Sequence, residues 1–340
     1  MIPGNISYAL QVVIIKLDAV GDVLRTTSIL PSIKEKYPKS HITWLTKTAS
    51  REILKDNKLI DKIYFIEHGL VEVTTHSYDI AFNLDSGRES CSQMNKIKAK
   101  QKFGYGLVNS KPYPLNELAN EWYLMGVNDN SKKANTKSYH RIIHEICGLR
   151  YSNSRPSLAV TQELIEHSDH IRERFGLNKF EKFILVNLGG GNRWQYKKWT
   201  KEGYSSLVNK LSSSKNLAVG VIAGDEDRTF YSNSLTLIEN NHNIIRFGCD
   251  NTTQDFISII YLADKIFTSD SLAFHIATAF GKYTVGIVGP TSREELDVFG
   301  NGKIIFSGKV DCLSCYLNTC DKKINCMNTV SAEEIMSYLV

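Results

Sequence analysis

No apolar run in this sequence is long. The longest, residues 10–17 (interrupted by Gln11 and Lys16) and 217–223, are of strand length and far short of the roughly 20 residues that cross a bilayer as a helix. No transmembrane helix is expected. The opening residues 1–8 lack a basic stretch followed by an apolar core and a small-residue cleavage site, so the expectation is a cytoplasmic protein. Low-complexity segments are missing too, and 42% apolar with 10% aromatic residues excludes a disordered chain. Strong charge of either sign is lacking: 41 Lys and Arg against 36 Asp and Glu leave +5. That suits a phosphorylated small molecule or an anionic membrane surface, and is too small and too evenly spread for a nucleic-acid binder. Two nucleotide motifs are also incomplete. GDVL supplies only Gly21 where a dinucleotide fingerprint needs three glycines, and GGGNRWQYKKW has no GK[ST] ending, which disfavours nucleotide hydrolysis.

What is present is an alternation of strands and helices. VVIIKL reads as a strand buried on both faces, followed by a turn at 18–21 and a helix over 22–37 that Pro38 ends. Further strands are expected at 42–45, 63–66 and 79–84. Residues 107–135 read as loop and acceptor-facing surface, and helical spacing resumes at 139–146. The second half repeats the logic, with strands at 183–187, 217–223, 243–246, 265–268 and 283–288 and helices at 201–213, 228–239, 254–262 and 271–280. Two successive α/β halves imply two parallel sheets of Rossmann type, divided as 1–175 and 176–340.

Five groups of residues carry possible chemistry. In KLDAVGDVLRTT, Asp22 falls in the first turn of a helix at a sheet's carboxyl edge, where such folds place ligands; the bland reading is a charge that favours the helix start. In NLGGGNRWQYKKW, three glycines precede Arg193, Lys197 and Lys198, a combination of backbone amides and cations suited to phosphate oxygens, or else a flexible loop with a solvated basic face. In SDSLAFHIATAFG, Asp270 and Ser271 open a small-residue helix with His275 in its first turn, again suited to a phosphate; His275 alone reads as a satisfied structural histidine. AGDEDR places Asp227 where a ribose or sugar contact, or merely a favourable helix start, would lie. Finally, of seven cysteines, Cys312, Cys315, Cys320 and Cys326 crowd together with C-x2-C-x4-C-x5-C spacing. In a reducing compartment this reads as a closed, structural four-thiolate site for zinc or iron before it reads as disulfides or unrelated thiols.

Taken in order, GDVLRTTSILPSIKEKYP, GGGNRWQYKKW, AGDEDR and SDSLAFHIATAFGKYTVGIVGPT resemble the successive motifs of glycosyltransferase family 9, over about residues 11–340. The resemblance implies a GT-B fold, two Rossmann-like domains with a cleft between them, and inverting sugar transfer without a catalytic metal. The first domain would bind the acceptor and the second the nucleotide sugar, ADP-heptose above others. By position it implies Asp22 as general base, Lys197 as the cation on the diphosphate and Asp227 as the ribose or sugar contact. Asp270, Ser271 and His275 would form the donor-sugar and phosphate loop, with Asn192 and Arg193 at places where other members present hydroxyls. Leu272 stands where many members have glycine. The cysteine cluster is similar to one in iron-carrying heptosyltransferases that modify autotransporter proteins. The acceptor is therefore open between a glycan, lipopolysaccharide and a protein, and both peripheral membrane contact and a homo-oligomer are compatible with the resemblance. The rival reading is a non-catalytic scaffold that binds sugar nucleotides or glycans, which needs no base at position 22.

Overall fold

The computed structural model describes residues 9–191 and 195–340. The chain forms two compact units, one ending at Ala159 and the other beginning at Val160. This division falls earlier than the expected 175/176, because the helix Gln162–Arg174 packs in the second unit. There His167 Nε2 lies 2.8 Å from Asp255 Oδ1, and the Gln254 amide donates to Glu163 at 3.0 Å.

In the first unit, strands β1 (Gln11–Ile15), β2 (His41–Thr46), β3 (Lys62–Phe65), β4 (Ser77–Asn83), β5 (Lys98–Val108) and β6 (Lys111–Pro114) form one sheet of order β3-β2-β1-β4-β5-β6. The first five are parallel and β6 runs antiparallel to β5. Val12, Val13, Ile14 and Ile15 are wholly buried, as expected of a central strand covered on both faces. Two local expectations are corrected. The helix expected over 22–37 is two helices, Val20–Thr26 and Ile29–Lys36, because the ring of Pro31 cannot sit four residues after a helical carbonyl at Thr27, whereas the first turn of a new helix tolerates it. The supposed loop at 107–135 holds a hairpin and the helices Glu117–Val127 and Asp129–Lys133. Asn109 and Ser110 turn that hairpin with φ of 49° and 60°, the two positive angles that a tight turn matched to the strand twist requires.

In the second unit, β7 (Lys182–Asn187), β8 (Leu217–Ile222), β9 (Ile244–Gly248), β10 (Lys265–Ser269), β11 (Tyr283–Ile287) and β12 (Gly302–Ile305) form an all-parallel sheet of order β12-β11-β10-β7-β8-β9. The strands and helices expected here are found within a few residues of their expected bounds. Exceptions are β12 and the helix Ala332–Leu339, which the sequence reading did not foresee. Among the described residues no helix is long and apolar enough to cross a membrane.

Each sheet thus has the Rossmann arrangement of strands 3-2-1-4-5-6, so the strand order reverses between β1 and β4 in one unit and between β7 and β10 in the other. Ligands bind such sheets outside the carboxyl ends of those two strands.

Candidate active site

At the reversal point of the first sheet, Lys16 follows β1 and is only 4% exposed. A buried ammonium needs a counter-charge, and Asp85, just past β4, supplies it as an ion pair. Asp85 also accepts the backbone N–H of Leu17 at 2.5 Å, which draws the turn after β1 down onto it. Burial pulls the Lys16 pKa down, but Tyr139, Asp85 and Asp22 outweigh it and hold the ammonium above its ordinary range. Lys16 is a fixed cation at this site.

The turn delivers Asp22 to the first turn of the helix Val20–Thr26, as expected. Its side chain keeps 40% of its surface exposed while its partner Arg25, donating from Nη1 at 3.1 Å, is buried. The Arg25 guanidinium lies 3.7 Å over the ring of Tyr139, whose hydroxyl is 3.0 Å from Thr26 Oγ1. A planar cation stacked on an aromatic face is held in one orientation. Asp22 is therefore a solvent-facing carboxylate on a rigid, positively charged footing. Arg25 and Tyr139 were not singled out from the sequence. Arg25 had a usable signal, its i+3 spacing from Asp22; Tyr139, more than a hundred positions away, had none.

At the reversal point of the second sheet, the glycine loop leaves β7 and Asp270 leaves β10. Asn187 Nδ2 ties the two strand ends together, donating to Gly189 O at 3.0 Å, Thr268 Oγ1 at 2.9 Å and Ser271 Oγ at 3.2 Å. Ser269 Oγ adds a bond to Gly189 O at 3.1 Å. Lys197 Nζ pairs with Asp270 Oδ2 at 2.7 Å, and Thr291 Oγ1 donates to the same oxygen at 2.9 Å. His275 Nε2 stands 3.9 Å from Asp270 Oδ1. The structure thus gathers Lys197, Asp270, Ser271 and His275 at one edge, with Thr291, which sequence reasoning passed over although it quoted GPT, completing the set. Asn192 and Arg193 lie outside the described residues.

Asp227 behaves differently from the expectation of a sugar contact. It is buried, and its carboxylate accepts Lys198 Nζ at 2.7 Å and the backbone N–H of Gly190 and Gly191 at 3.0 and 3.1 Å. These glycine amides, expected to face a phosphate, are spent on a protein carboxylate. Glycine is required for the approach: a Cβ on Gly189 would fall 2.8 Å from Asp227 Oδ2. Trp199, 1% exposed and 5.5 Å from the Phe267 ring, anchors the far end of the loop; burying an indole of that size stabilises the loop by about 2–3 kcal/mol. The paired lysines therefore divide: Lys198 goes inward to the loop and Lys197 to Asp270 at the edge.

Cys312, Cys315, Cys320 and Cys326 are all free and half-buried in one loop after β12. The Cys326 thiol is pushed up to about 11, by burial first and then by Cys315, Cys312 and Cys320. Among the described residues, however, no three His, Cys, Asp or Glu side chains stand where they would jointly hold a metal ion, so the expected closed four-thiolate shell is not seen. Four thiolates repel one another, and only a cation among them makes convergence favourable. The donor set and its surroundings do fit a thiophilic ion. Four sulfurs share one loop, Gly289 leaves room for Cys326, whose Sγ would lie 2.5 Å from a Cβ there, and the Lys322 ammonium, 3.9 Å from Asp311 Oδ1, brings a cation to the same loop.

Residues 71–324 match the family described as Glycosyltransferase family 9 (heptosyltransferase). The chain is 22% identical to "Lipopolysaccharide heptosyltransferase 1" of Campylobacter coli over 97% of its own length and 98% of that protein. The crystal structure of the glycosyl transferase family 9 from Veillonella parvula superposes with a TM-score of 0.77 at 17% identity, covering 97% of this chain and 96% of that one. The iron-containing dodecameric glycosyltransferase TibC of enterotoxigenic E. coli, also solved with ADP-D-beta-D-heptose, superposes with a TM-score of 0.56 at 11% identity, covering 98% of this chain and 75% of that one. The two Rossmann-like domains are those of the GT-B fold, and the chain belongs to glycosyltransferase family 9 (heptosyltransferase).

Proposed function

We propose that this glycosyltransferase is an inverting heptosyltransferase that takes ADP-heptose as donor and transfers the heptose to a hydroxyl of a glycan, lipopolysaccharide or protein acceptor. The observation that carries the reading is the difference between the two reversal points. One presents an exposed carboxylate, Asp22, on a fixed cationic footing; the other presents Lys197 with Asp270, Ser271 and His275. The first is furnished for proton removal and the second for an anionic leaving group.

In the reaction the acceptor oxygen attacks the anomeric carbon from the face opposite the diphosphate, while Asp22 takes the hydroxyl proton. As the new C–O bond forms, the bond from the anomeric carbon to the β-phosphate oxygen breaks and its electron pair leaves with ADP. Lys197, released from Asp270 by the stronger attraction of the diphosphate, stabilises that charge, with Ser271 and His275 as further donors. Arg25, stacked on Tyr139, donates to Asp22 at 3.1 Å and so holds the carboxylate in place for the proton transfer. Cys312, Cys315, Cys320 and Cys326 are the residues that would hold one zinc or iron ion. A closed sulfur shell would give that ion a structural role, leaving no open position for substrate.

Replacing Asp22 by Asn keeps the shape and removes the base. Turnover of ADP-heptose in the presence of acceptor falls by at least about a hundredfold while ADP affinity stays within twofold of the parent chain. Unchanged turnover in Asp22→Asn would remove the base assignment, whereas a parent chain that binds ADP-heptose but never turns it over would favour a scaffold that only binds the donor.

A further inference from the structure

The loop carrying the cysteines does more than follow the last strand. Ser314 N–H donates to Gly289 O at 3.1 Å and Tyr316 N–H to Pro290 O at 2.8 Å, so the backbone on both sides of Cys315 is bonded to the turn that leaves β11. Ser314 and Tyr316 hold φ of 57° and 53°, a left-handed conformation that side-chain-bearing residues adopt only when the surroundings impose it. The Tyr316 hydroxyl then reaches past that turn, accepting from Ser292 N–H at 3.1 Å and donating to Glu295 Oε1 at 2.7 Å. Between the two bonded points sits Thr291, whose hydroxyl holds Asp270. On the other side, the Tyr196 hydroxyl donates to the Cys320 carbonyl at 2.9 Å, and Tyr196 immediately precedes Lys197. Two stretches of chain nearly a hundred residues apart, one bearing Lys197 and the other bearing the threonine that fixes Asp270, are thereby fastened to a single segment.

We propose that the segment 311–320 is a positioning element of the donor site, which sets the Lys197–Asp270 pair from both sides through Tyr316 and through the bond from Tyr196 to the Cys320 carbonyl. Neither tyrosine is a group that touches phosphate; each acts through its neighbour. A loop pinned at only one of these points would leave Lys197 or Asp270 free to sample other positions, and a pair misplaced by an ångström binds a diphosphate poorly. The inference rests on the donor reading above and extends it, since it makes donor affinity depend on a part of the chain that carries no donor-binding side chain.

The test is calorimetric titration of ADP into the full chain and into Tyr196→Phe, Tyr316→Phe and the double variant, each of which loses a hydroxyl without altering a cysteine. Lys197→Ala serves as the reference for loss of the cation itself. Ser205→Ala, which removes a buried hydroxyl bonded to Lys201 O and Ser234 O, serves as the reference for mere destabilisation. Each single Phe variant, which loses one hydrogen bond at Tyr196 and two at Tyr316, is expected to bind ADP about three- to tenfold more weakly, and the double variant more weakly than either. Ser205→Ala should bind as the parent does. Phe variants that bind ADP within twofold of the parent, or a Ser205→Ala that weakens binding equally, overturn the positioning role while leaving the donor site in place. A parent chain that binds no ADP, with Lys197→Ala indistinguishable from it, overturns the donor reading itself and this inference with it.

Discussion

Replacing Asp227 by Asn separates two roles for one residue. If Asp227 met the ribose or sugar, the substitution would weaken donor binding and leave stability alone. In the structure its carboxylate is 4% exposed, its partner Lys198 is 9% exposed, and it takes three donors: one ammonium and two backbone amides. Asn has the same shape but one acceptor and one donor end, so at least one of those donors must face an N–H. Charge-assisted bonds at about 1.5–3 kcal/mol each would sum to more than the domain can lose, but contacts within one network are not additive. Breaking a buried ion pair on one side costs about 3–5 kcal/mol, because the other charge is left uncompensated. For a domain of this size that corresponds to a fall of roughly 6–20 °C in its thermal midpoint. Differential scanning calorimetry of the full chain and of the variant reads the change directly. The double variant Asp227→Asn/Lys198→Met removes both charges and should recover much of the loss. A single variant destabilised by less than about 1 kcal/mol would refute the reasoning, and would return Asp227 to the role of a ligand contact.

Two further outcomes follow from other parts of the chain. Elemental analysis of the purified protein should find about one equivalent of zinc or iron, lost in Cys315→Ser together with part of the second domain's thermal stability; less than about a third of an equivalent, with all four thiols titrating freely, would exclude the site. In the first domain, His144 is wholly buried, with Nδ1 bonded to His140 O at 2.6 Å and Nε2 3.2 Å from Ser32 Oγ, and burial lowers its pKa below 6.5. The unfolded chain then binds the extra proton first, so stability is fully present above that value and falls as pH drops through and below it. Urea unfolding at pH 7.5 and 5.5 should show this loss in the parent chain and a smaller one in His144→Gln; equal pH dependence would assign the acid sensitivity elsewhere.

Much of this protein was legible from residue patterns alone. A β-branched run such as VVIIKL has little alternative to a strand covered on both faces, and glycine-rich or acidic turns after such strands place Asp22 and Asp270 at the carboxyl edges. The order of the four motifs was enough to suggest the family that residues 71–324 then matched. What local pattern could not supply was any partner far along the chain. The hairpin turn at Asn109 and Ser110 carries no glycine to announce it, and the helix Gln162–Arg174 looks the same from sequence whichever domain it packs against.

The same limit governs the sites. Local pattern alone could nominate Asp22, Asp227, Asp270, Ser271 and His275, which closely follow strand ends, and Lys197, which follows a glycine-rich loop. Only the tertiary structure decided that Asp227 turns inward to Lys198 and the glycine amides while Lys197 turns to Asp270, since the choice depends on which carboxylate is buried and which has water to compete. It also decided that Arg25 rests on Tyr139, and that the cysteine loop is bonded to the turn holding Thr291. Sequence determines which chemical groups stand at the edge of each sheet, because strand and turn formation are local. Their pairing is set by burial and by contacts between distant segments, which only the folded chain brings within hydrogen-bonding reach.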